Sequence, residues 1–193
     1  MVLRIDHVSI AVKDFKKADE FFKTLLGLIP GGVGEIEQSK FFFQVYSAGD
    51  LSRFEIITPT GNGSFLDGFL KKRDGGVHHI TFQVNDIKEA RKILDEKKIP
   101  YFGYNDNYEN WKELFIHPSD AFGVLVQLAE FNPHEWIDSS QTVPEGRNWE
   151  VKKKGGRAHL SILHPGGGKV DAEYTADELD ALINDLVKVR QSL

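Results

Sequence analysis

Ile5-Asp6-His7-Val8-Ser9-Ile10-Ala11-Val12 returns 72 residues later as Val77-His78-His79-Ile80-Thr81-Phe82-Gln83-Val84, so that His7 falls on His79, Val12 on Val84, Asp14 on Asp86 and Ala18 on Ala90. Near the end of each copy, Phe54-Glu55-Ile56-Ile57 falls on Val126-Gln127-Leu128-Ala129, which makes Glu55 and Gln127 equivalent. A period this long, present twice, reads as a duplicated module rather than a solenoid repeat. Four side chains of metal-binding type thus occupy two equivalent pairs of positions.

Each copy predicts the order β-α-β-β-β. Residues 5 to 12 alternate and are β-branched; Asp14 can then cap a helix carrying Phe15, Ala18, Phe21, Phe22, Leu25 and Leu26 at helical spacing, stopped by Gly27. Strands are expected at about 33 to 37, 41 to 47 and 53 to 58. The second copy has a strand at 78 to 84, a helix opened by Asp86 with Ile87, Ala90, Ile93 and Leu94 on one face, and strands near 100 to 103, 112 to 117 and 123 to 130. The expected fold is α+β: two tandem modules, 1 to 59 and 77 to 131, form one curved mixed sheet around a metal cavity within a domain spanning 1 to 131.

Strand alternation assigns the faces. Val8, Ile10 and Val12 oppose His7 and Ser9; Ile80, Phe82 and Val84 oppose His79, Thr81 and Gln83; Phe54 and Ile56 oppose Arg53 and Glu55; Val124, Val126 and Leu128 oppose Gln127. With helices on the apolar face, the other face of a curved sheet becomes a polar-lined cavity. His7, Glu55, His79 and Gln127 meet at its centre. His78 alternates to the opposite face and reads as structural. His117 ends a strand and either lines the cavity or caps a turn, while Phe41, Phe43, Tyr101 and Trp111 are candidate walls and Arg53 a polar substrate contact.

Residues 132 to 148 are linker-like, holding Pro133, Ser139, Ser140, Pro144 and Gly146. The tail, 149 to 193, predicts a β-hairpin (149 to 153 and 157 to 163) followed by a helix. Thr175-Ala176-Asp177-Glu178 is a capping box, and Leu179, Leu182, Ile183, Leu186 and Val189 form an apolar stripe that must be buried against the same chain or a partner subunit.

Composition narrows the chemistry. With no cysteine among 193 residues, disulfides, thiolate zinc sites and a cysteine nucleophile are excluded together. A net charge of −5 provides no basic field for nucleic acid. No apolar run nears the ~18 residues of a membrane span, and Met1 leads straight into the first repeat without a secretory leader, so a cytoplasmic location is expected. Phosphate loops, nucleophile elbows and dinucleotide fingerprints are absent.

Two His, one Glu and one Gln leave an octahedral divalent ion two open positions. Such an ion polarises a carbonyl and favours loss of a neighbouring proton, for which Glu55, the only carboxylate in the expected shell, is the natural base.

The chain resembles the vicinal oxygen chelate superfamily, which includes the glyoxalases and bleomycin-resistance proteins, and within it the methylmalonyl-CoA epimerases. The likeness covers residues 4 to 131 and rests on Ile5-Asp6-His7-Val8 with Ala11-Val12-Lys13-Asp14, Phe21-Phe22 with Leu26-Gly27-Leu28, Glu55-Ile56-Ile57-Thr58-Pro59, Phe69 through His79, Phe115-Ile116-His117-Pro118 and Gly123 through Leu128. It implies one divalent ion (Co, Ni, Mn, Zn or Fe) on His7, Glu55, His79 and Gln127, and a small-molecule substrate, either an acyl-CoA or a glutathione-type thioester, handled by a lyase or isomerase. A homodimer fits the same resemblance. Epimerases of this kind carry Gln at the position of Glu55 and Glu at that of Gln127, so acid and amide are exchanged here across the pseudo-twofold axis. Tyr104 through Asn110 and Ser119-Asp120 also depart from the epimerase pattern. A ring-cleaving Fe(II) dioxygenase and a non-catalytic binder of drugs or metabolites are the two other readings.

Overall fold

The computed structural model describes residues 2–48, 52–132, 147–163 and 169–193, grouped in two compact units. In the first unit β1 (Val2–Val12) leads into α1 (Phe15–Asp19), which widens into a π turn at Glu20–Leu25. After β2 (Ile29–Ile36), β3 (Phe41–Ser47) and β4 (Arg53–Pro59) comes a short helix, α2 (Leu66–Leu70). The second module follows as β5 (Gly75–Val84), α3 (Ile87–Lys97), β6 (Phe102–Asn105), β7 (Lys112–Ile116) and β8 (Val126–Glu130). The eight strands form one curved mixed sheet ordered β2-β3-β4-β1-β5-β8-β7-β6.

Local chemistry sets the helix ends. The Asp14 carboxylate accepts from the Lys17 N–H at 3.0 Å, and Asp86 accepts from Lys88 N–H and Glu89 N–H at 2.8 and 2.9 Å. Gly27 takes φ +72° just past the first helix, a left-handed conformation that spares a Cβ.

The apolar face of the sheet carries α1 and α3, as the alternation requires. Val12, Tyr46 and Ile56 pack with Phe15, Ala18 and Phe22, and Val84, Leu114 and Leu128 pack with Ile87, Ala90 and Leu94. The opposite face is polar only in its middle. At one end α2, absent from the sequence-based expectation, seats Leu66 and Leu70 on Ala11 and Ile57, with Phe41, Phe43 and Phe69 packed around them. Burying each leucine stabilises by about 1.5–3 kcal/mol and closes that end of the cavity.

The second unit is an antiparallel sheet, β11-β10-β9, built from β9 (Trp149–Lys154), β10 (Arg157–Leu163) and β11 (Lys169–Tyr174), with α4 (Ala176–Ser192) against β10 and β11. The Thr175–Glu178 capping box forms in both directions. The expected hairpin gains a third strand, whose Val170-Ala172-Tyr174 alternation pairs with β10. Leu179 and Leu182 are half-buried, whereas Ile183 and Leu186 stay exposed, so α4 buries less of its stripe than its pattern requires. Most of the expected linker, with His134, and the turn holding His164 lie outside the described residues.

Candidate metal centre

The four central strands, β4-β1-β5-β8, bring the candidates together through a doubled register. Ser9 pairs with Glu55 across the parallel β1–β4 ladder and with His79 across the antiparallel β1–β5 ladder. Its repeat equivalent Thr81 pairs with Gln127 and with His7. Each module therefore places a hydroxyl between its own acid or amide and the other module's histidine.

His7, Glu55 and His79 each offer a ligand atom within 4.8 Å of the others. Glu55 Oε2 lies 3.6 Å from both His7 Nε2 and His79 Nε2. Atoms sharing one ion at about 2.1 Å stand ~3–4 Å apart, so this spacing suits a common metal. Gln127 joins from the other side: the Thr81 hydroxyl, 2.9 Å from His7 Nε2, donates to Gln127 Oε1 at 2.5 Å. All of these side chains are buried or nearly so; 12% of the Glu55 side chain is exposed. Ser9 Oγ, wholly buried, closes no hydrogen bond of good geometry, although it lies near enough to Glu55 to help hold that carboxylate ionised. Two imidazoles, a carboxylate and an amide oxygen around an unpartnered hydroxyl fit a divalent transition-metal ion.

The electrostatics agree with such a site. Burial opposes charge on His7, yet the Glu55 carboxylate and the hydrogen bond to Asp6 outweigh it and raise the ring to about 9. Burial would raise Glu55, but the His7 and His79 rings bring it down to about 2. His79 falls to about 4 because burial, with His7 and His78 beside it, prevails over Glu55.

Sequence reasoning missed Glu113. On β7, it faces the cavity and accepts from Gln127 Nε2 at 2.6 Å and from Trp111 Nε1 at 2.8 Å. Burial, reinforced by the negative charge of Glu55, pushes its carboxyl above the ordinary carboxylate range against those two hydrogen bonds. Glu55 is thus not the only carboxylate of the cavity. By anchoring the amide nitrogen, Glu113 also turns the Gln127 oxygen inward. Nothing in the repeat signals it, since position 41, 72 residues earlier, is Phe41; its alternation with Leu114 and Ile116, which face the helices, was the available clue.

The remaining candidates divide. Trp111 stacks on Phe131 at 4.8 Å and reaches the site through Glu113. Phe41 and Phe43 lie on the cavity face beside α2. Arg53 is on the cavity side but engaged: it binds Asp6 through Nε at 3.0 Å and through a second, shorter contact, and its guanidinium lies over Phe131. Tyr101 packs with the α3 cluster and accepts from Arg91 Nε, so it is on the helix side and is not a cavity wall. His117 is exposed, caps the turn at Pro118–Asp120 and stands apart from the cluster. His78 departs from its expected face: its Nδ1 lies 2.9 Å from His79 Nδ1 and its ring contacts Phe65 and Phe69.

A curved sheet built from two βαβββ modules, with a pair of candidate ligands from each, defines a class, and sequence comparison agrees. Residues 6–115 match the family model described as the Glyoxalase/Bleomycin resistance protein/Dioxygenase superfamily, and the chain belongs to that superfamily. Within it, the chain is 35% identical over 130 residues to the mitochondrial methylmalonyl-CoA epimerase of Bos taurus, covering 66% of this chain and 74% of the relative. It is 33% identical over 134 residues to the ethylmalonyl-CoA/methylmalonyl-CoA epimerase of Cereibacter sphaeroides, covering 67% and 99%. The crystal structure of methylmalonyl-CoA epimerase from Mycobacterium tuberculosis superposes with a TM-score of 0.63 at 27% identity, covering 69% and 91%. A Streptomyces coelicolor epimerase variant in complex with 2-nitronate-propionyl-CoA gives 0.62 at 25%, covering 68% and 99%. These relatives place the chain among the isomerases of the superfamily.

Proposed function

We propose that this chain is a metal-dependent epimerase of 2-alkylmalonyl-CoA thioesters, methylmalonyl-CoA foremost, with His7, His79, Glu55 and the Gln127 oxygen as ligands and Glu55 and Glu113 as the two proton-transfer groups. The observation that carries it is the delivery of two largely buried carboxylates to one cavity by opposite modules, Glu55 beside the histidine pair and Glu113 on the amide of Gln127. Epimerisation takes a proton from one face of a carbon and returns one to the other, so it is served by two groups that need not exchange places. The environments differ in the required sense: Glu55 is held ionised and ready to accept, while Glu113 is held towards its protonated form and ready to donate. Bound there, a divalent ion would stabilise the negative charge that develops on a thioester oxygen as the neighbouring proton leaves. Ring-cleaving dioxygenation and passive ligand binding make no use of the second carboxylate.

The acid and amide are exchanged between modules relative to the epimerase pattern, and Glu113 shares a module with Gln127. Each module thus contributes one of the two proton-transfer carboxylates, the one beside the histidine pair coming from the first. Supporting this reading are the names of the relatives, methylmalonyl-CoA and ethylmalonyl-CoA epimerases. The test is incubation of one methylmalonyl-CoA epimer in D2O with the chain stripped by chelator and reloaded with Co(II), followed by proton NMR and chiral analysis, with ethylmalonyl-CoA run in parallel. Deuterium at C2 together with inversion is expected; neither event on either thioester would refute the assignment.

A further inference from the structure

The residue before each metal-side histidine sits on a β-bulge. Along the β1–β5 ladder Ile5 pairs with Phe82 and His7 with Thr81, which leaves Asp6 over; Ser9 pairs with His79 and Ile10 with Val77, which leaves His78 over. Asp6 and His78 are also equivalent in the repeat. A bulge takes a side chain out of the strand's alternation and re-aims it. Both re-aimed side chains meet Nδ1 of the next residue, Asp6 Oδ2 at 2.8 Å from His7 Nδ1 and His78 Nδ1 at 2.9 Å from His79 Nδ1. In both ligand rings the other nitrogen, Nε2, is the one 3.6 Å from Glu55 Oε2.

We propose that Asp6 and His78 are a matched pair of positioning residues, each accepting the Nδ1 proton of the histidine that follows it, so that both imidazoles present an Nε2 lone pair to the metal. Two nitrogens 2.9 Å apart share one proton, so with His79 as donor His78 carries its own proton on Nε2. An outer partner of this kind fixes both the tautomer and the ring plane of a metal-binding histidine.

The neighbours explain why the two partners differ. Asp6, 4% exposed, is balanced by Arg53 and by Arg4 at 2.8 Å. The repeat counterparts of Arg53 and Arg4 are Leu125 and Gly76. A carboxylate at position 78 would therefore lack the two cations that neutralise Asp6 and would stand near Glu55 in a poorly hydrated site. An imidazole accepts the same proton without bringing a charge, and the Phe65 and Phe69 rings, 5.6 and 5.1 Å away, hold its plane. The two ligands are unequal as a result. His7, bonded to an anion, is the stronger donor, and His79, bonded to a neutral ring, is the weaker.

This inference rests on His7 and His79 being metal ligands, and the experiment separates the two. Co(II) affinity of the full chain is measured against a competing chelator, with the visible Co(II) spectrum recorded, for wild type, His78→Leu and His78→Gln. Leu offers no acceptor, so affinity should fall roughly 10- to 100-fold, the usual cost of losing an outer partner, with a shifted spectrum. Gln, whose side-chain oxygen can accept the proton, should recover most of the loss. Wild-type affinity and spectrum in His78→Leu would overturn the positioning role, whereas failure of wild type to bind Co(II) would overturn the ligand assignment beneath it. Should His78→Leu not fold, 15N-histidine NMR of the Zn(II)-loaded wild type decides: Nδ1–H on His79 with Nε2–H on His78 is expected, and the reverse tautomers would sink the proposal.

Discussion

Replacing Glu113 with Gln separates two events that the wild type couples. Glu113 accepts two hydrogen bonds, from Gln127 Nε2 at 2.6 Å and Trp111 Nε1 at 2.8 Å. Both bonds end on Oε2, so a glutamine can keep them with its single oxygen and place its NH2 at the Oε1 position, which leaves the local structure and the apolar core intact. The chemical effect is larger. Loss of a positioned acid or base lowers the rate about 10²- to 10⁴-fold, some 3–5 kcal/mol of barrier, so inversion should fall by that factor in both directions. Exchange of the α-proton should survive in the one epimer that presents it to Glu55. The assay follows each methylmalonyl-CoA epimer in D2O, reading deuterium content by NMR and configuration by a coupled stereospecific mutase. Glu55→Gln should show the opposite selectivity, with weakened metal binding because the only anionic ligand is gone. Inversion at the wild-type rate in Glu113→Gln, or equal loss of exchange from both epimers, would refute the division of faces between the two carboxylates.

Three further outcomes follow from the same geometry. The metal-free protein should be most stable near pH 6.5: below it, His79 and then Glu55, whose folded pKa values of about 4 and about 2 lie under their unfolded ones, bind protons more readily in the unfolded chain, and above it His7, raised to about 9, loses the proton that the folded state favours, each of the three groups costing roughly 3 kcal/mol over its own range. Thermal denaturation across pH 4 to 9 checks this, and a flat or monotonic profile would contradict the pairing of His7 with Glu55. Thr81→Val removes the hydroxyl between His7 and Gln127 and should destabilise the metal-free protein by about 1–3 kcal/mol but the metal-loaded protein by less, since an ion would partner the same two atoms; equal loss in calorimetry would show that the hydroxyl does not bridge them. A chain ending at Asn132 should retain Co(II) binding, because the ligand-bearing strands all precede that point; loss of binding in a truncation that keeps its far-UV spectrum would show that the tail supports the site.

What could be read directly was whatever repeats or is local. The offset joining His7 to His79 and Glu55 to Gln127 revealed the duplication, and strand alternation placed those four on the face away from Val12, Ile56 and Val84, where the structure has them. Asp14, Asp86 and Thr175 announced their helices because a cap needs only neighbours within a turn. Tyr101 was misplaced because it follows α3 and packs back on it, a choice made by the helix rather than by its own strand.

The sequence by itself determined the two-module plan, the helix-bearing face and the grouping of His7, Glu55, His79 and Gln127 on the other face, all of which follow from periodicities written into short stretches of chain. Tertiary structure alone decided that Asp6 and His78 turn towards His7 and His79, that Glu113 joins Gln127, that α2 packs on one end of the cavity face and that β11 adds to the tail sheet. The physical reason is the same in each case. A bulge or a buried pair exists only where two distant segments meet in register, and a one-residue slip in that register reverses which face a side chain sees.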